Sequence, residues 1–183
     1  MKMKIIAIGA SYSKTSINRV FAKYVAEQIE DAQTEVMDLN IYDLPLYTTE
    51  KEKEIGIPQS ARDFVIKLDE ADLLVISLAE HNGTYTTAFK NLFDWATRVK
   101  LQIFENKPMI LLSTAPGPRG GLGVLEAAKV RFPIHGAKIV GAFSLPKFNE
   151  NFHETLGVQD PILREPLFEL IHKTSIEINE FSD

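Results

Sequence analysis

The chain contains no cysteine among its 183 residues, which excludes disulfides, thiolate metal ligands and catalytic thiols together. It also lacks an excess of positive charge, because 25 acidic residues outnumber 20 Lys and Arg and leave a net charge of −5. Without a basic surface we expect no nucleic-acid partner. No apolar run approaches the about 20 residues of a membrane span, so we expect no membrane segment. The missing cysteine favours a cytoplasmic location.

Hydrophobic residues make up 45% of the sequence, enough for one domain over residues 1–183 with a sizeable core. The first residues are basic and then apolar, which loosely resembles a signal peptide. The apolar part is too short for one, however, and Gly9 leads into a polar loop that opens a helix. We interpret this segment as the first strand. Four scattered histidines give no metal-binding pattern.

Apolar and helical segments alternate along the chain. Strands are predicted at residues 4–9, 34–39, 72–78, 108–113 and 138–144, and helices at 16–32, 58–69, 87–99, 122–132 and 161–181. Ser16 is the predicted N-cap of the first helix, with Val20, Tyr24 and Ile29 near one of its faces. Residues 51–56 are predicted to be a solvated stretch and 146–157 the least structured connection. This alternation requires an α/β fold with helices on both faces of a parallel sheet.

Polar loops follow three of these strands, and the carboxyl ends of parallel strands share one edge of a sheet. The first loop offers the hydroxyls of Ser11, Ser13, Thr15 and Ser16 and the amide of Asn18, at the start of a helix. Helix N-termini suit a phosphate, to which Lys14 and Arg19 would add screened charge, although an ordinary serine-rich cap explains the pattern equally well. Walker and dinucleotide glycine patterns are absent, so Asp38 is interpreted as a surface or capping residue.

The second and third loops offer backbone groups that could contact a ligand, but no obvious catalytic side chain. Glu80, His81 and Asn82 precede a turn at Gly83, and their backbone groups suit a planar heterocycle. A Glu–His acid–base pair is possible, but no nucleophile stands nearby. In the third loop Gly117, Gly120 and Gly121 permit close approach to a flat ligand, or simply form a flexible turn. Arg119 is either an anion contact or solvated.

The helix at residues 87–99 is apolar nearly all round, with Phe89, Leu92, Phe93, Trp95 and Val99. Core packing explains this composition. The alternative is that one stripe of the helix contacts a partner subunit.

These loops resemble motifs of the NAD(P)H-dependent FMN reductase family, which includes bacterial quinone, azo-compound and chromate reductases. The resemblance covers residues 4–144. The positions that match are Ser11, Ser16 and Asn18 in the first loop, Glu80, Asn82, Lys90, Asn91, Asp94 and Trp95 in the second motif, and Ser113, Pro116, Gly117, Gly120 and Gly121 in the third. Residues 38–47 are also similar to the family's region after the second strand.

The resemblance implies a flavodoxin-like, three-layer fold with strand order 2-1-3-4-5 and one bound FMN. Its phosphate would sit in the first loop, its ring against the other two, and NAD(P)H would reduce it for a quinone-like, azo or flavin acceptor. No side-chain catalyst is expected. A homodimer or homotetramer joined partly through the Trp95 helix is implied. The implied cofactor-binding residues are Ser11, Ser13, Ser16, Ile17, Asn18, Glu80, His81, Asn82, Gly83, Thr84, Thr114, Pro116, Gly117, Gly120 and Gly121.

The chain departs from the family pattern at several positions. Ala10 replaces Gly, Ser13 replaces Arg, Ala79 replaces Pro, His81 replaces Tyr and Thr84 replaces Ser. The lost arginine removes a charge-assisted phosphate contact, so we expect weaker FMN binding. Three alternatives remain open: an electron-carrying flavodoxin, a flavodoxin-like module that binds a ligand without turnover, and a nicotinamide-only dehydrogenase.

Overall fold

The computed structural model describes residues 2–180, except for the side chains of residues 179 and 180. Within this range one sheet contains five parallel strands, which are β1 (Met3–Ala10), β2 (Ala32–Met37), β3 (Leu73–Leu78), β4 (Pro108–Thr114) and β5 (Lys138–Leu145). They lie in the order β2-β1-β3-β4-β5, and each neighbouring pair is parallel. The predicted α/β fold and strand order are confirmed.

Helices cover both faces of this sheet. They are α1 (Ile17–Glu27), α2 (Thr49–Ile55), α3 (Gln59–Asp69), α4 (Thr87–Val99), α5 (Leu122–Arg131), α6 (Phe148–Asn151) and α7 (Pro161–Glu180). Because successive side chains of a strand point to opposite faces, Ile6 of β1 packs in a core with α3, α4 and α5. Ile5 packs in a second core with α1 and α7. The sheet and the helices on its two faces form three layers, with one core on each side of the sheet.

The central strands are buried on both sides, as their nearly continuous apolar sequences predicted. All six residues of β3 are buried, and so are the six residues of β4 after Pro108. The sheet is therefore a rigid base, and its carboxyl edge holds the loops that follow β1, β3 and β4 in a fixed arrangement.

Helix α1 differs from its prediction in length and in its buried face. It ends at Glu27 rather than residue 32, because the turn to β2 uses a left-handed backbone at Asp31, with φ of 56°. Its buried face carries Phe21, Ala22, Val25 and Ala26, whereas Val20 is 37% exposed. Val20 and Tyr24 do lie near one face and line one pocket, but the face that contacts the sheet lies one residue further along.

Two segments for which no helix or strand was predicted contain regular structure. The stretch at 51–56 lies largely in α2, which has no buried residue and no apolar periodicity to reveal it. The 146–157 connection contains α6 and a two-stranded hairpin (Phe152–His153 with Gly157–Val158). The predicted last residue of the final helix, Phe181, lies outside the described residues. No helix within residues 2–180 is long and apolar enough to cross a membrane.

Candidate functional site

The loops after β1, β3 and β4 converge on one pocket at the carboxyl edge of the sheet, with a cavity volume of about 190 Å³. We call it the edge pocket. Nine of the predicted cofactor-binding residues line it, namely Ser11, Ser13, Ser16, Ile17, Asn18, Glu80, His81, Thr114 and Pro116. Thr15, Ala79 and Ala115 line it as well. Asn82, Gly83, Thr84, Gly117, Gly120 and Gly121 do not.

The first loop is folded by its own hydroxyl groups. Ser11 Oγ accepts the Ser13 amide at 3.2 Å, and Ser13 Oγ accepts the Thr15 amide at 3.3 Å. Ser16 Oγ accepts the Arg19 amide at 3.2 Å, which confirms Ser16 as the N-cap of α1. Each of these oxygens therefore accepts a hydrogen bond from a backbone N–H group. The Ser13 and Thr15 hydroxyls also lie 3.4 Å apart, so one of them donates to the other. The O–H groups of Ser11 and Ser16 stay available as donors to an anion in the edge pocket.

Asn18 connects the three loops rather than offering a free amide to the pocket. Its Oδ1 accepts from Ser77 Oγ at 2.7 Å and from the Thr114 amide at 3.1 Å. Its Nδ2 donates to the Thr114 carbonyl at 3.0 Å. The side chain is only 3% exposed. Its hydrogen bonds join the start of α1 to the ends of β3 and β4. The structure gives Asn18 a positioning role.

The second loop is a hairpin in which Glu80 pairs with Tyr85 and His81 with Thr84. Asn82 and Gly83 have φ of 51° and 80°, the two positive values that a tight Asn-Gly hairpin turn requires. Asn82, Gly83 and Thr84 consequently form an exposed tip. Only the first strand of the hairpin lines the edge pocket, because the turn places the tip outside the pocket.

The Glu80 side chain packs against the start of α5. A β-carbon at Gly123 would overlap Glu80 Oε1 and lie 3.2 Å from the Gly83 carbonyl oxygen. Helix α5 begins after Gly121, which supplies no side-chain cap, and its first turn contains no acidic residue. A carboxylate at that helix end is electrostatically favourable. Glu80 therefore positions the hairpin, and Gly123, which the sequence did not single out, makes room for it.

The glycines of the third loop serve different purposes. A β-carbon on Gly120 would lie 2.5 Å from Ser144 Oγ and 2.8 Å from the Leu145 carbonyl carbon, so this residue permits packing onto β5. Gly117 is exposed and no atom lies within 4 Å of its β-carbon position. Of the three glycines in this loop, Gly117 is the one with open space beside it for a flat ligand.

Cations stand near the edge pocket but do not line it. Arg19 bonds Asp38 at 3.3 Å and the Lys14 carbonyl at 2.5 Å. The hydrogen bonds from Asn40, assisted by the charge of Arg19, hold the pKa of Asp38 below its usual range. Asp38 caps a short helical turn at Leu39–Ile41, as predicted. Lys14 is exposed and makes no ion pair with a described residue, and no metal-binding cluster occurs among residues 2–180.

A neighbouring depression of about 240 Å³ shares Ser11, Ser13 and His81 with the edge pocket and widens the site toward the start of α4. Tyr12 and the residues at 86–88 complete it. The Tyr12 hydroxyl donates to the Tyr42 carbonyl at 3.3 Å, and burial raises the pKa of Tyr12 to about 12. The phenol therefore remains a neutral donor at physiological pH.

The second motif's Asn91 and Trp95 hold the segment at 44–47 against α4. Asn91 Oδ1 accepts the Tyr47 amide at 2.8 Å, and the Trp95 ring nitrogen donates to the Pro45 carbonyl at 2.7 Å. Trp95 is completely buried, and so are the large aromatic and leucine side chains around it. Of the two explanations for this apolar helix, core packing is the one that the structure bears out.

Comparison with known proteins agrees with this geometry. The family model described as NADPH-dependent FMN reductase matches residues 3–150. The chain is 29% identical to an NADPH azoreductase from Bacillus sp. (strain OY1-2) over 180 residues, which are 98% of the chain and 92% of that protein. It is 30% identical to a quinone reductase from Escherichia coli (strain K12) over 121 residues, 66% of the chain and 64% of that protein.

The fold is likewise shared with solved flavoenzymes. The NAD(P)H:(acceptor) oxidoreductase FerB from Paracoccus denitrificans superimposes with a TM-score of 0.74 at 23% identity, over 97% of this chain and 98% of that one. The family model covers most of the chain, including all three loops of the edge pocket. The chain therefore belongs to the NADPH-dependent FMN reductase family.

Proposed function

We propose that this chain binds FMN in the edge pocket and uses it to pass electrons from NAD(P)H to a quinone-like, azo or flavin acceptor. The observation that carries the proposal is the cluster of hydroxyl groups at the start of α1, which lines one pocket together with the ends of the second and third loops. Membership of the family supports the cofactor, and the names of the azoreductase and quinone reductase relatives support the acceptor class. We expect one cytoplasmic domain to carry this activity.

The donor set of the first loop fits the FMN phosphate. The hydroxyls of Ser11, Ser13, Thr15 and Ser16 surround the amino end of α1, an 11-residue helix whose first amides carry partial positive charge. Arg19 and Lys14 lie outside the lining, so the phosphate would be held by neutral donors and by the helix. This arrangement is consistent with FMN binding more weakly than it would beside an arginine.

The other two loops fit the flat ring. Ala79 and His81 of the second loop line the edge pocket together with Ala115 and Pro116 of the third. Gly117, which follows Pro116, is exposed. Bound FMN would supply the redox chemistry, accepting reducing equivalents from the nicotinamide and delivering them to the acceptor. The protein's part is to bind, orient and bond the ring edge through backbone groups. We therefore predict Ser11, Ser13, Ser16 and His81 as contacts of the cofactor, with no acid–base catalyst.

We also propose that the chain forms a homodimer or homotetramer. The support lies on α5 and the turn after it, because the apolar residues of α4 are already covered. Val130 is 73% exposed and Ile134 54% exposed, and Leu101, whose carbonyl oxygen lies 2.8 Å from His135 Nδ1, is 64% exposed. Exposed apolar patches of this kind mark association sites. Sedimentation of the wild type and of Val130→Glu tests this, since a smaller species is expected only for the variant.

The visible absorption spectrum of the purified protein, before and after FMN is added and desalted, tests the cofactor. A retained flavin spectrum is the expected result. Steady-state oxidation of NADH and NADPH with a quinone then separates a reductase from an electron carrier or a binding module. A protein that retains no flavin would count against the proposal and favour a ligand-binding module, whereas turnover without flavin would favour a nicotinamide-only enzyme.

A further inference from the structure

His81 belongs to the hairpin after β3 and lines both the edge pocket and the neighbouring depression. It shares both linings with Ser11 and Ser13 of the first loop. Because it borders both cavities, the residue stands between the first and second loops, beside the hydroxyl groups that are proposed to hold the FMN phosphate. Its side chain is therefore close enough to the first loop to act on the same anion.

The imidazole of His81 is unused within the protein. It is exposed and makes no hydrogen bond or ion pair with a described residue. Two other histidines differ, because His135 Nδ1 lies 2.8 Å from the Leu101 carbonyl oxygen and His153 Nδ1 accepts the Thr155 amide at 3.2 Å. When its ring carries a proton, both nitrogens of His81 are donors, and both are available to an anion.

The charges that surround this imidazole leave it as the potential cation of the site. Within the described chain, no other residue in either lining can become positively charged, since Lys14 and Arg19 lie outside both. Glu80 packs its carboxylate against the start of α5, and burial keeps Tyr12 neutral by raising its pKa to about 12. Residues 86–88 and the third loop add no ionisable side chain to the linings.

Two departures from the family pattern coincide at this place. Ser13 stands where the family has Arg, and His81 stands where it has Tyr. The chain has therefore lost a permanent cation from the first loop, but it carries a histidine on the opposite wall of the same depression. Histidine is the side chain that ordinarily changes its charge between about pH 5 and 8. Once protonated, it forms charge-assisted hydrogen bonds, which are stronger than those of neutral donors.

We propose that protonated His81 bonds the FMN phosphate together with the Ser11 hydroxyl, so that the protein binds its cofactor more tightly in mildly acidic medium. The inference rests on the proposed function and adds to the edge pocket a cation that depends on pH. Since the proton and the phosphate favour each other's binding, FMN binding should take up a proton near neutral pH.

Fluorescence titration with FMN at about pH 5.5 and about pH 8 tests the proposal, because histidine changes its charge between these values. At the acidic pH the wild type should bind FMN about fivefold more tightly than His81→Gln, whereas at the alkaline pH the two should bind equally. Ionisation of the phosphate itself is the same for both proteins and cancels at each pH. His172→Gln is the matched control, since His172 is exposed on α7 outside both linings. It should reproduce the wild-type affinities.

Riboflavin, which has the flavin ring without the phosphate, shows which part of the cofactor His81 contacts. Its affinity, measured in the same titrations, should not depend on His81 at either pH. Calorimetry of FMN binding at about pH 6.5, in two buffers of different ionisation enthalpy, gives the number of protons taken up. This number should be larger for the wild type than for His81→Gln.

Equal FMN affinity of the wild type and His81→Gln in acid would overturn the inference and leave the proposed function standing. The same holds for a loss of affinity that is equal at both pH values, which would assign His81 an uncharged contact. An equal dependence of riboflavin on His81 would overturn it too, since the ring and not the phosphate would then be the partner. A wild type that binds FMN at neither pH would instead overturn the proposed function, and this inference with it.

Discussion

The two edges of the sheet use opposite chemistry. At the carboxyl edge the pocket is lined by hydroxyls and backbone, with Glu80 as its only formally charged lining residue. Near the amino ends of β1 and β3, Lys4 and Lys67 each contact both Glu35 and Glu70 in a four-residue ion network. Charges there neutralise one another at the surface, whereas the edge pocket keeps its donors free.

This difference shows where interactions are held open for a ligand. The ion network is complete within the protein, and exposed pairs of this kind contribute little to stability. The edge pocket instead depends on a buried side chain, Asn18, to bring three loops together, while the hydroxyl protons of Ser11 and Ser16 have no acceptor among the described residues. The proposed function therefore lies where hydroxyl donors are left without acceptors, and four substitutions test this contrast.

The largest effect is expected at Asn18. Replacement by alanine leaves the Thr114 amide, the Thr114 carbonyl and the Ser77 hydroxyl without their buried partner, at a cost of about 3–4 kcal/mol in unfolding free energy. FMN binding should be lost with the loop arrangement. Urea denaturation measures the first effect and flavin fluorescence the second. Asn149→Ala, on the exposed side of the 146–157 connection, should change neither. A loss below about 1 kcal/mol would contradict the positioning role of Asn18.

A cation placed in the edge pocket should erase the contrast between the edges. Ser13→Arg is expected to tighten FMN binding about tenfold or more, since a well-formed hydrogen bond to a charged group contributes about 1.5–3 kcal/mol. The affinity should also fall more steeply with salt than in the wild type. Fluorescence titration at two salt concentrations measures both effects, with Ser60→Arg on α3 as the control. Unchanged affinity would mean that neutral donors already satisfy the phosphate.

Gly123→Ala tests whether Glu80 and α5 pack as closely as their geometry indicates. Glycine to alanine inside a helix normally stabilises by about 0.5–1 kcal/mol, but here the methyl group would displace the Glu80 carboxylate. The carboxylate is the far end of a flexible side chain and can move aside, but the Gly83 carbonyl oxygen at 3.2 Å belongs to the backbone. We therefore expect the usual gain to be cancelled, with weaker FMN binding because the hairpin wall shifts. In a Glu80→Ala background, Gly123→Ala should again raise the unfolding free energy. If the single variant alone is stabilised, Glu80 does not occupy this space.

The sequence was sufficient for the framework of the site but not for the direction of its side chains. The alternation of strands and helices, the cap at Ser16 and the bounds of α4 follow from local patterns of apolar and turn-forming residues, whereas the strand order came from the resemblance to the family. The partner of Asn18 and the contact of Glu80 with Gly123 depend on which strand ends become neighbours, and no local pattern contains that information. Helix α2 was missed because it buries no residue. One feature of the sequence did point to Gly123, because a glycine is unfavourable within a predicted helix and therefore suggests a packing reason.

The smallest effect is expected at the other edge, with Lys67→Gln. Its partners are half exposed, so unfolding free energy should fall by less than about 1 kcal/mol, and FMN affinity should not change. Hydrogen bonds from Lys67 and Lys4 lower the pKa of Glu35 below its usual value. A carboxyl group with a lowered folded-state pKa stabilises the protein above its unfolded pKa and ceases to do so as the pH falls through the folded value.

The difference in stability between wild type and Lys67→Gln should therefore be present at pH 7 and shrink as the medium becomes more acidic than the usual glutamate pKa of about 4.3. Lys67 itself has a raised pKa because Glu35 and Glu70 bond it, so its contribution is also lost at strongly alkaline pH. Urea denaturation across this range measures the profile, with Lys53→Gln as a control outside the network. A difference that persists unchanged in acid would mean that packing of the Lys67 side chain, rather than its charge, stabilises this edge.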